Sequence, residues 1–501
     1  MQPDIIFGPP GCGKTTSLIN RVESALARGI PPDRIGYFSF TRRAAQEAVE
    51  RACSKFGLHR TDFPYFSTFH SMCFKQLGIN YQMVLSGKKL REFAHVAKIR
   101  INSRWSEDGT LTGFETGDRI LFMENLARVR GITLEQQYRE DDDNLPWEEV
   151  KRVALTLADY KKQLGFVDFT DMLMEYLRSG IRLRLQELMV DETQDLSLLQ
   201  WRIAQRLSEG CDQWAVAGDD DQAIYRWAGA DVDQLIDLQG NTNVLGQSYR
   251  VPRVIQKVAQ SVIGQVHRRR EKLWRAREGA EGEVARAARF IDVDCGEGEI
   301  LVLARNAYVL NEQVEPELRQ QGIVFERNGR NSIDADLLRT IQDWEKLRRE
   351  QMVTVAQARK IYKYMSSGHG IKRGFKTLPD KEDSEMVSLA DLKKTGGLLR
   401  DEPWHEAMDM IGKGDVDYIR AARTRGEKLT KKPRVVLSTI HGAKGGQADH
   451  VVLMKEIAWR SYNEMLVKPE DEMRVWYVGA TRAKEKLSIV EPSTKNACPW
   501  L

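Results

Sequence analysis

The chain has 501 residues, of which 42% are hydrophobic and 30% charged, and 76 Lys and Arg stand against 72 Asp and Glu for a net charge of +4. That length exceeds one ordinary core and implies two to four domains. No run of about 18 apolar residues occurs, so no helical membrane span is expected, and the basic excess is too mild to announce a nucleic-acid binder by charge alone.

Asp4-Ile5-Ile6-Phe7 reads as a short buried strand, so close to Met1 that no signal peptide is expected. Gly8-Pro9-Pro10-Gly11-Cys12-Gly13-Lys14-Thr15-Thr16 follows and fits G-x-x-x-x-G-K-[ST] without a mismatch. Such a loop turns successive backbone N–H groups onto phosphate oxygens. Lys14 is placed to reach the β- and γ-phosphates, and the Thr15 hydroxyl to ligate Mg²⁺. Leu18, Ile19, Val22, Ala25 and Leu26 recur at helical spacing, predicting a helix over 15–27 whose positive end faces the phosphates. The motif in this context indicates a nucleoside triphosphate with Mg²⁺. It does not say what the nucleotide drives.

Residues 34–41 read as a second strand and its end, 42–49 as a helix, and 65–70 as a third strand-like run. Phe40 alone reads as core, and His70 alone as a structural histidine. From about 76 to 165 the pattern is helical, with helices over 117–129 and 146–162, and this stretch is read as an insertion. Asp168 or Thr170 suits the N-cap of a further helix. Leu188-Met189-Val190 is an apolar strand that ends in Asp191-Glu192-Thr193-Gln194-Asp195. Acids at a strand end, on a chain with a phosphate loop, suit nucleotide hydrolysis: Asp191 for the Mg²⁺ shell and Glu192 to orient and deprotonate water. Residues 214–218 form another strand, followed by Asp219-Asp220-Asp221-Gln222. Gln222 suits a γ-phosphate sensor, and Tyr225 and Trp227 suit stacking on unpaired bases. Strands are also expected over 298–305, 435–438, 451–454 and 487–490, with a helix over 309–321. Basic runs at 267–270 and 428–434 read as solvated or structural faces. Six scattered cysteines, Cys12, Cys53, Cys73, Cys211, Cys295 and Cys498, show no C-x-x-C pair, which points to a reducing cytoplasmic compartment and no zinc.

Taken together these stretches resemble the UvrD/Rep-like superfamily 1 helicases, of the subfamily that moves 3′ to 5′ on single-stranded DNA. The matching motifs are GPPGCGKTT (8–16), FSFTRRAA (38–45), FSTFHS (66–71), DFTDML (168–173), VDETQD (190–195), VAGDDDQAIYRWAGAD (216–231), LGQSYR (245–250), LSTIHGAKG (437–445) and YVGATRAKEKL (477–487). They stand in the family's order and span nearly the whole chain.

The resemblance implies an α/β fold of two RecA-like lobes with ATP in the cleft between them. The first lobe would be residues 1–75 with 166–240, carrying the helical insertion 76–165. The second would be 241–345 with 432–501, carrying a small accessory insertion, 346–431. Lys14 and Thr15 would bind phosphate and Mg²⁺, Asp191 the metal, Glu192 the water and Gln222 the γ-phosphate. Tyr249 would stack on the adenine, Gln447 would stand at the ribose position, and Arg250 and Arg482 would be arginine fingers. Phe40, Thr41, His70, Tyr225, Trp227 and His441 would contact single-stranded DNA.

The implied activity is ATP-dependent translocation and duplex unwinding by a cytoplasmic monomer. Its substrate would be single-stranded DNA or duplex with a single-stranded tail, and a nuclease or a replication or repair protein is a possible partner. The alternative is an ATP-dependent mediator or motor subunit that remodels protein–DNA complexes with little unwinding. The chain departs from the family pattern at Thr16, where an arginine is usual, at Ala228, also usually arginine, and at Gln447, usually glutamate. Only seven residues precede Gly8, so the family's adenine-reading segment is not expected, nor is a partner-binding tail or fused nuclease after Val490.

Overall fold

A computed structural model of the protein describes residues 2–40, 42–102, 104–105, 111–112, 115–141, 144–378 and 381–501. Thr41, expected at the DNA track, lies outside these residues. Contacts divide the chain into two compact units, Met1–Glu281 with Met465–Thr481, and Gly282–Glu464 with Arg482–Leu501.

Among the described residues the first unit holds eight strands: β1 (Asp4–Phe7), β2 (Ile35–Phe38), β3 (Phe66–Ser67), β4 (Arg104–Trp105), β5 (Leu111–Thr112), β6 (Glu187–Val190), β7 (Gln213–Gly218) and β8 (Asn241–Val244). Six of them make a parallel sheet in the order β3-β2-β6-β7-β1-β8, and β4 and β5 pair as a separate antiparallel ribbon. All four residues of β2 and of β6 are buried. Helices cover both faces, which is why these strands, Glu187 apart, are apolar rather than alternating. One face packs Phe38, Leu188 and Val190 against Phe69, Leu173 and Trp201; the other packs Tyr37 and Met189 against Leu18, Val22 and Ala48. The helices Lys88–Ala97, Thr116–Arg130 and Trp147–Leu164 enclose a third core around Leu90, Phe93, Ile120, Met123 and Val153. These helices fall in the stretch 76–165 that the sequence reads as a helical insertion.

Two expectations change. The run 65–70 is not one strand: only Phe66–Ser67 pairs with β2. Thr68 Oγ1 accepts the Ser71 N–H at 3.2 Å and starts the helix Phe69–Gln76, so His70 stands in a helical first turn. The N-cap preference of threonine outweighs the β-propensity of the flanking aromatics. Residues 241–281 and 465–481, read from sequence as part of the second lobe, group with the first unit. β8 pairs along the whole of β1, and the helix Arg253–Ile263 packs on the helix Pro469–Ala480.

The second unit holds β9 (Glu283–Ala287), β10 (Ile300–Ala304), β11 (Phe325–Arg327), β12 (Arg330–Asn331), β13 (Val353–Thr354), β14 (Met386–Val387), β15 (Val435–Thr439), β16 (Ala448–Met454) and β17 (Ala483–Val490). Its main sheet runs β12-β11-β15-β10-β16-β17-β9, parallel except for the β11–β12 hairpin. The segment 346–431, expected as an accessory insertion with little strand, contains the β13–β14 ribbon and the helices Val355–Lys363, Leu389–Lys394, Trp404–Ala407 and Lys413–Thr424. Its Val353, Ile361, Tyr362, Leu392, Trp404 and Ile419 belong to the same core as Ile300, Val302, Val435 and Leu437 of the sheet. Among the described residues no helix is long and apolar enough to cross a membrane.

Candidate nucleotide site and aromatic track

β1 ends at Phe7, and the loop 8–13 leads into the helix Lys14–Ala27. Gly11 and Gly13 have φ of 70° and 88°, left-handed values that a side chain rarely adopts. Lys14 is 8% exposed, and its ammonium donates to the carbonyls of Gly8 at 2.8 Å and Pro9 at 3.2 Å. Burial works against that charge, but the Cys12 sulfur and the carboxylates of Asp219, Glu192 and Asp191 outweigh it and hold Lys14 above its ordinary value. The lysine is therefore a permanent cation at the mouth of a helix N-terminus, suited to phosphate.

β6 delivers the acids beside this loop. Asp191 N–H donates to the Phe38 carbonyl at 2.8 Å, which extends the β2–β6 ladder by one rung. Asp191 Oδ2 accepts the hydroxyls of Thr15 and Tyr37, each at 2.8 Å, and Oδ1 accepts the Glu192 N–H at 2.9 Å. Burial first, then the neighbouring Glu192 carboxylate, pushes Asp191 up to about 6, against the pull of its three hydrogen bonds. Burial and the Asp191 charge hold the Tyr37 phenol well above its ordinary value, so it stays a donor. A buried acid crowded by a second carboxylate, 2.8 Å from a threonine hydroxyl, is relieved by a hard cation. One carboxylate, one hydroxyl, water and nucleotide oxygens form the donor set that Mg²⁺ takes; the residues fit that ion.

Glu192 has φ 53° and ψ 42°, a left-handed conformation that costs about 1–3 kcal/mol for a residue with a side chain. Gln194 holds it there: its amide NH₂ donates to Glu192 Oε2, and its carbonyl oxygen accepts the Asp219 N–H at 3.1 Å. Gln222 Nε2 in turn donates to Asp219 Oδ2 at 2.7 Å. Burial would raise Asp219, but Lys272, Lys14 and the Gln222 bond hold it below its ordinary range. The two acid turns after β6 and β7 are thus one hydrogen-bonded unit facing the loop.

The stretch after β8 folds over the loop. Ser248 Oγ donates to the Pro10 carbonyl and Tyr249 N–H to the Gly11 carbonyl, both at 2.8 Å. A Cβ added to Gly11 would stand 2.4 Å from Arg250 Cβ. Arg250 Nε is buried with no hydrogen-bond partner among the described residues, and burial lowers the guanidinium below its ordinary value although Glu192 and Cys12 oppose that. Tyr249 is 70% exposed and offers an open ring beside the loop. Lys14, Thr15, Asp191, Glu192, Gln222 and Arg250 therefore converge within the first unit.

The aromatic candidates sit on the neighbouring turns. Phe40 is nearly buried beneath Tyr225, with ring centroids 5.2 Å apart. His70 is buried, edge-on to Phe169 at 6.0 Å. Trp227 is 46% exposed and stacks on Phe122 at 6.1 Å.

Residues 1–243 match the UvrD/REP helicase N-terminal domain, and residues 434–490 match the UvrD-like helicase C-terminal domain. The chain belongs to the UvrD/REP helicase family. Its relatives include the "ATP-dependent DNA helicase PcrA" of Bacillus subtilis, 26% identical over 67% of this chain and 47% of the relative. The protein of the same name from Staphylococcus aureus is 27% identical over 56% of this chain and 40% of the relative. The "Probable DNA helicase II homolog" of Rickettsia conorii is 26% identical over 56% and 45%. The chain thus spans less than half the length of the curated relatives it matches.

The remaining family positions lie on the second unit. Gln447 is exposed and His441 half-buried. Arg482 is buried; its guanidinium reaches the Gly446 carbonyl at 3.4 Å, and its own carbonyl accepts the Ala448 N–H. Sequence reasoning left three residues of the site without a role: Tyr37, Gln194 and Lys272. Gln194 stood inside a motif already singled out. Tyr37 read as one more strand aromatic, and Lys272 had no spacing signal, because its partners lie some 50 residues earlier in the chain.

Proposed function

We propose that this chain is an ATP-driven motor that moves 3′ to 5′ on single-stranded DNA and unwinds duplex carrying a single-stranded tail. The observation that carries the reading is the convergence of Lys14, Thr15, Asp191, Glu192, Gln222 and Arg250 in a member of this helicase family. The loop N–H groups and Lys14 bind the phosphates, and Tyr249 stacks on the base. Thr15 and Asp191 hold Mg²⁺, which would neutralise phosphate charge during transfer. Glu192 orients the attacking water and takes its proton. Gln222, tied to Asp219, meets the γ-phosphate. Arg250 spreads the charge of the transferring phosphoryl group. The roles of Arg482, Gln447 and His441 rest on the resemblance, as do those of Phe40, Thr41, His70, Tyr225 and Trp227 on DNA. In this reading the protein works in the cytoplasm as a monomer, alone or beside a nuclease or a replication or repair protein.

The test is ATP hydrolysis by the purified chain with and without single-stranded DNA, with GTP and RNA as controls. DNA is expected to stimulate turnover, Lys14→Ala to abolish it, and a 3′-tailed duplex to be unwound in preference to a 5′-tailed one. Undiminished DNA-stimulated hydrolysis by Lys14→Ala would overturn the site. Stimulated hydrolysis with stripping of bound protein but no strand displacement would favour the mediator reading.

A further inference from the structure

The geometry points to Tyr37 as a positioning residue for the cation at the nucleotide site, an inference that rests on the nucleotide-hydrolysing reading above. Tyr37 is the third residue of β2 and pairs with Met189 of β6, two residues before Asp191. It is fully buried on the sheet face covered by the helix Lys14–Ala27, and its ring stacks on Phe66 at 5.3 Å. A phenylalanine would satisfy everything the ring does there. The hydroxyl does one thing more: it donates to Asp191 Oδ2 at 2.8 Å, the same oxygen that accepts the Thr15 hydroxyl.

Lone-pair counting shows what this achieves. A carboxylate offers about four acceptor positions. The two hydroxyls occupy both positions on Oδ2, and the Glu192 N–H occupies one on Oδ1. One position is left, on Oδ1, for a water of the cation's shell. With Oδ2 held from two sides the carboxylate cannot rotate about its χ2 axis. The Thr15 hydroxyl is kept pointing its hydrogen at Asp191 and its lone pair away, where a cation is ligated. Tyr37 touches neither cation nor nucleotide; it acts through Asp191. Groups that orient metal ligands in this way commonly change metal affinity by roughly 10- to 100-fold when removed.

The experiment is Tyr37→Phe, which deletes one oxygen and keeps the packed ring. Binding of a fluorescent ADP is measured by anisotropy in EDTA and across a titration of free Mg²⁺. Mn²⁺ binding in the presence of ADP is measured by electron paramagnetic resonance, and Thr15→Val serves as the reference variant. The variant is expected to bind ADP in EDTA as the parent does, to melt at the same temperature, and to need roughly tenfold more Mg²⁺ or Mn²⁺ for half-saturation. A purely structural Tyr37 would alter melting and EDTA binding and leave the metal dependence unchanged. Half-saturation equal to the parent's, where Thr15→Val shifts it, overturns the inference. ADP binding by the parent that does not change with Mg²⁺ also overturns the inference, whereas ADP binding that survives Lys14→Ala would instead overturn the nucleotide site itself.

Discussion

Lys272 shows how much can rest on one side chain. Its ammonium is buried and stands 2.9 Å from Asp219 Oδ1 and 2.9 Å from Asp221 Oδ2, and it also bonds Asp220. Arg269 adds a two-pronged contact to Asp221 at 2.6 and 2.8 Å, and Arg474 Nε donates to the Asp220 carbonyl at 3.0 Å. Burial alone would strip the charge from Lys272; the three carboxylates reverse that and hold it above its ordinary value. Lys272→Met therefore leaves buried acids without their cation, and is expected to cost about 3–5 kcal/mol in thermal or urea unfolding of the first unit. His450 gives a pH dependence of known sign. Its ring bonds Ser488 Oγ at 2.8 Å, and burial, then Lys486, lowers it to about 4 although Glu283 and Asp294 oppose that. A histidine lowered on folding contributes stability above its unfolded value, about 6.5, that is lost as pH falls through 4. The second unit should lose stability over that window, and His450→Asn should flatten the profile in urea titrations at each pH.

At the scale of elements, the phosphate loop is the least forgiving. Gly11→Ala would put a side chain at φ 70° and its Cβ 2.4 Å from Arg250 Cβ. Nucleotide affinity should fall at least tenfold in equilibrium binding, while the free energy of unfolding, read by urea titration, falls by about 1–3 kcal/mol for the left-handed alanine. The loop and its helix were legible because each local requirement is met by adjacent residues: glycine where φ is positive, lysine and threonine at the helix start, and apolar residues at helical spacing. β6 and β7 were legible from the apolar runs 188–190 and 214–218, because strands buried on both faces are near-continuously apolar. The run 65–70 was misread because a two-residue strand followed by a capped helix has the same composition as one longer strand. Thr68 decides it, and Thr68→Ala should destabilise the helix Phe69–Gln76 by about 1 kcal/mol.

For the molecule as a whole, the α/β class and most of the strands were within reach of the sequence, but the order of the strands and the membership of the segments between them were not. The stretch 346–431 has the glycines and lysines of a loop-rich appendage, yet its apolar residues complete the core of the second sheet. Trp344 shows the dependence: it is fully buried and donates its indole N–H to the Glu402 carbonyl at 3.1 Å. Trp344→Ala should cost about 3–5 kcal/mol and loosen the segment together with the sheet, seen as coincident loss of hydrogen-exchange protection in both. By itself the sequence determined the local patterns of the proposed nucleotide site, because a phosphate loop and two acid turns are short-range patterns whose residue types follow from what such patterns bind. Only the tertiary structure decided which distant groups hold those patterns in place. Tyr37 on Asp191, Gln194 between Glu192 and Asp219, and Lys272 among three aspartates are contacts made by packing, which leaves no mark in local spacing.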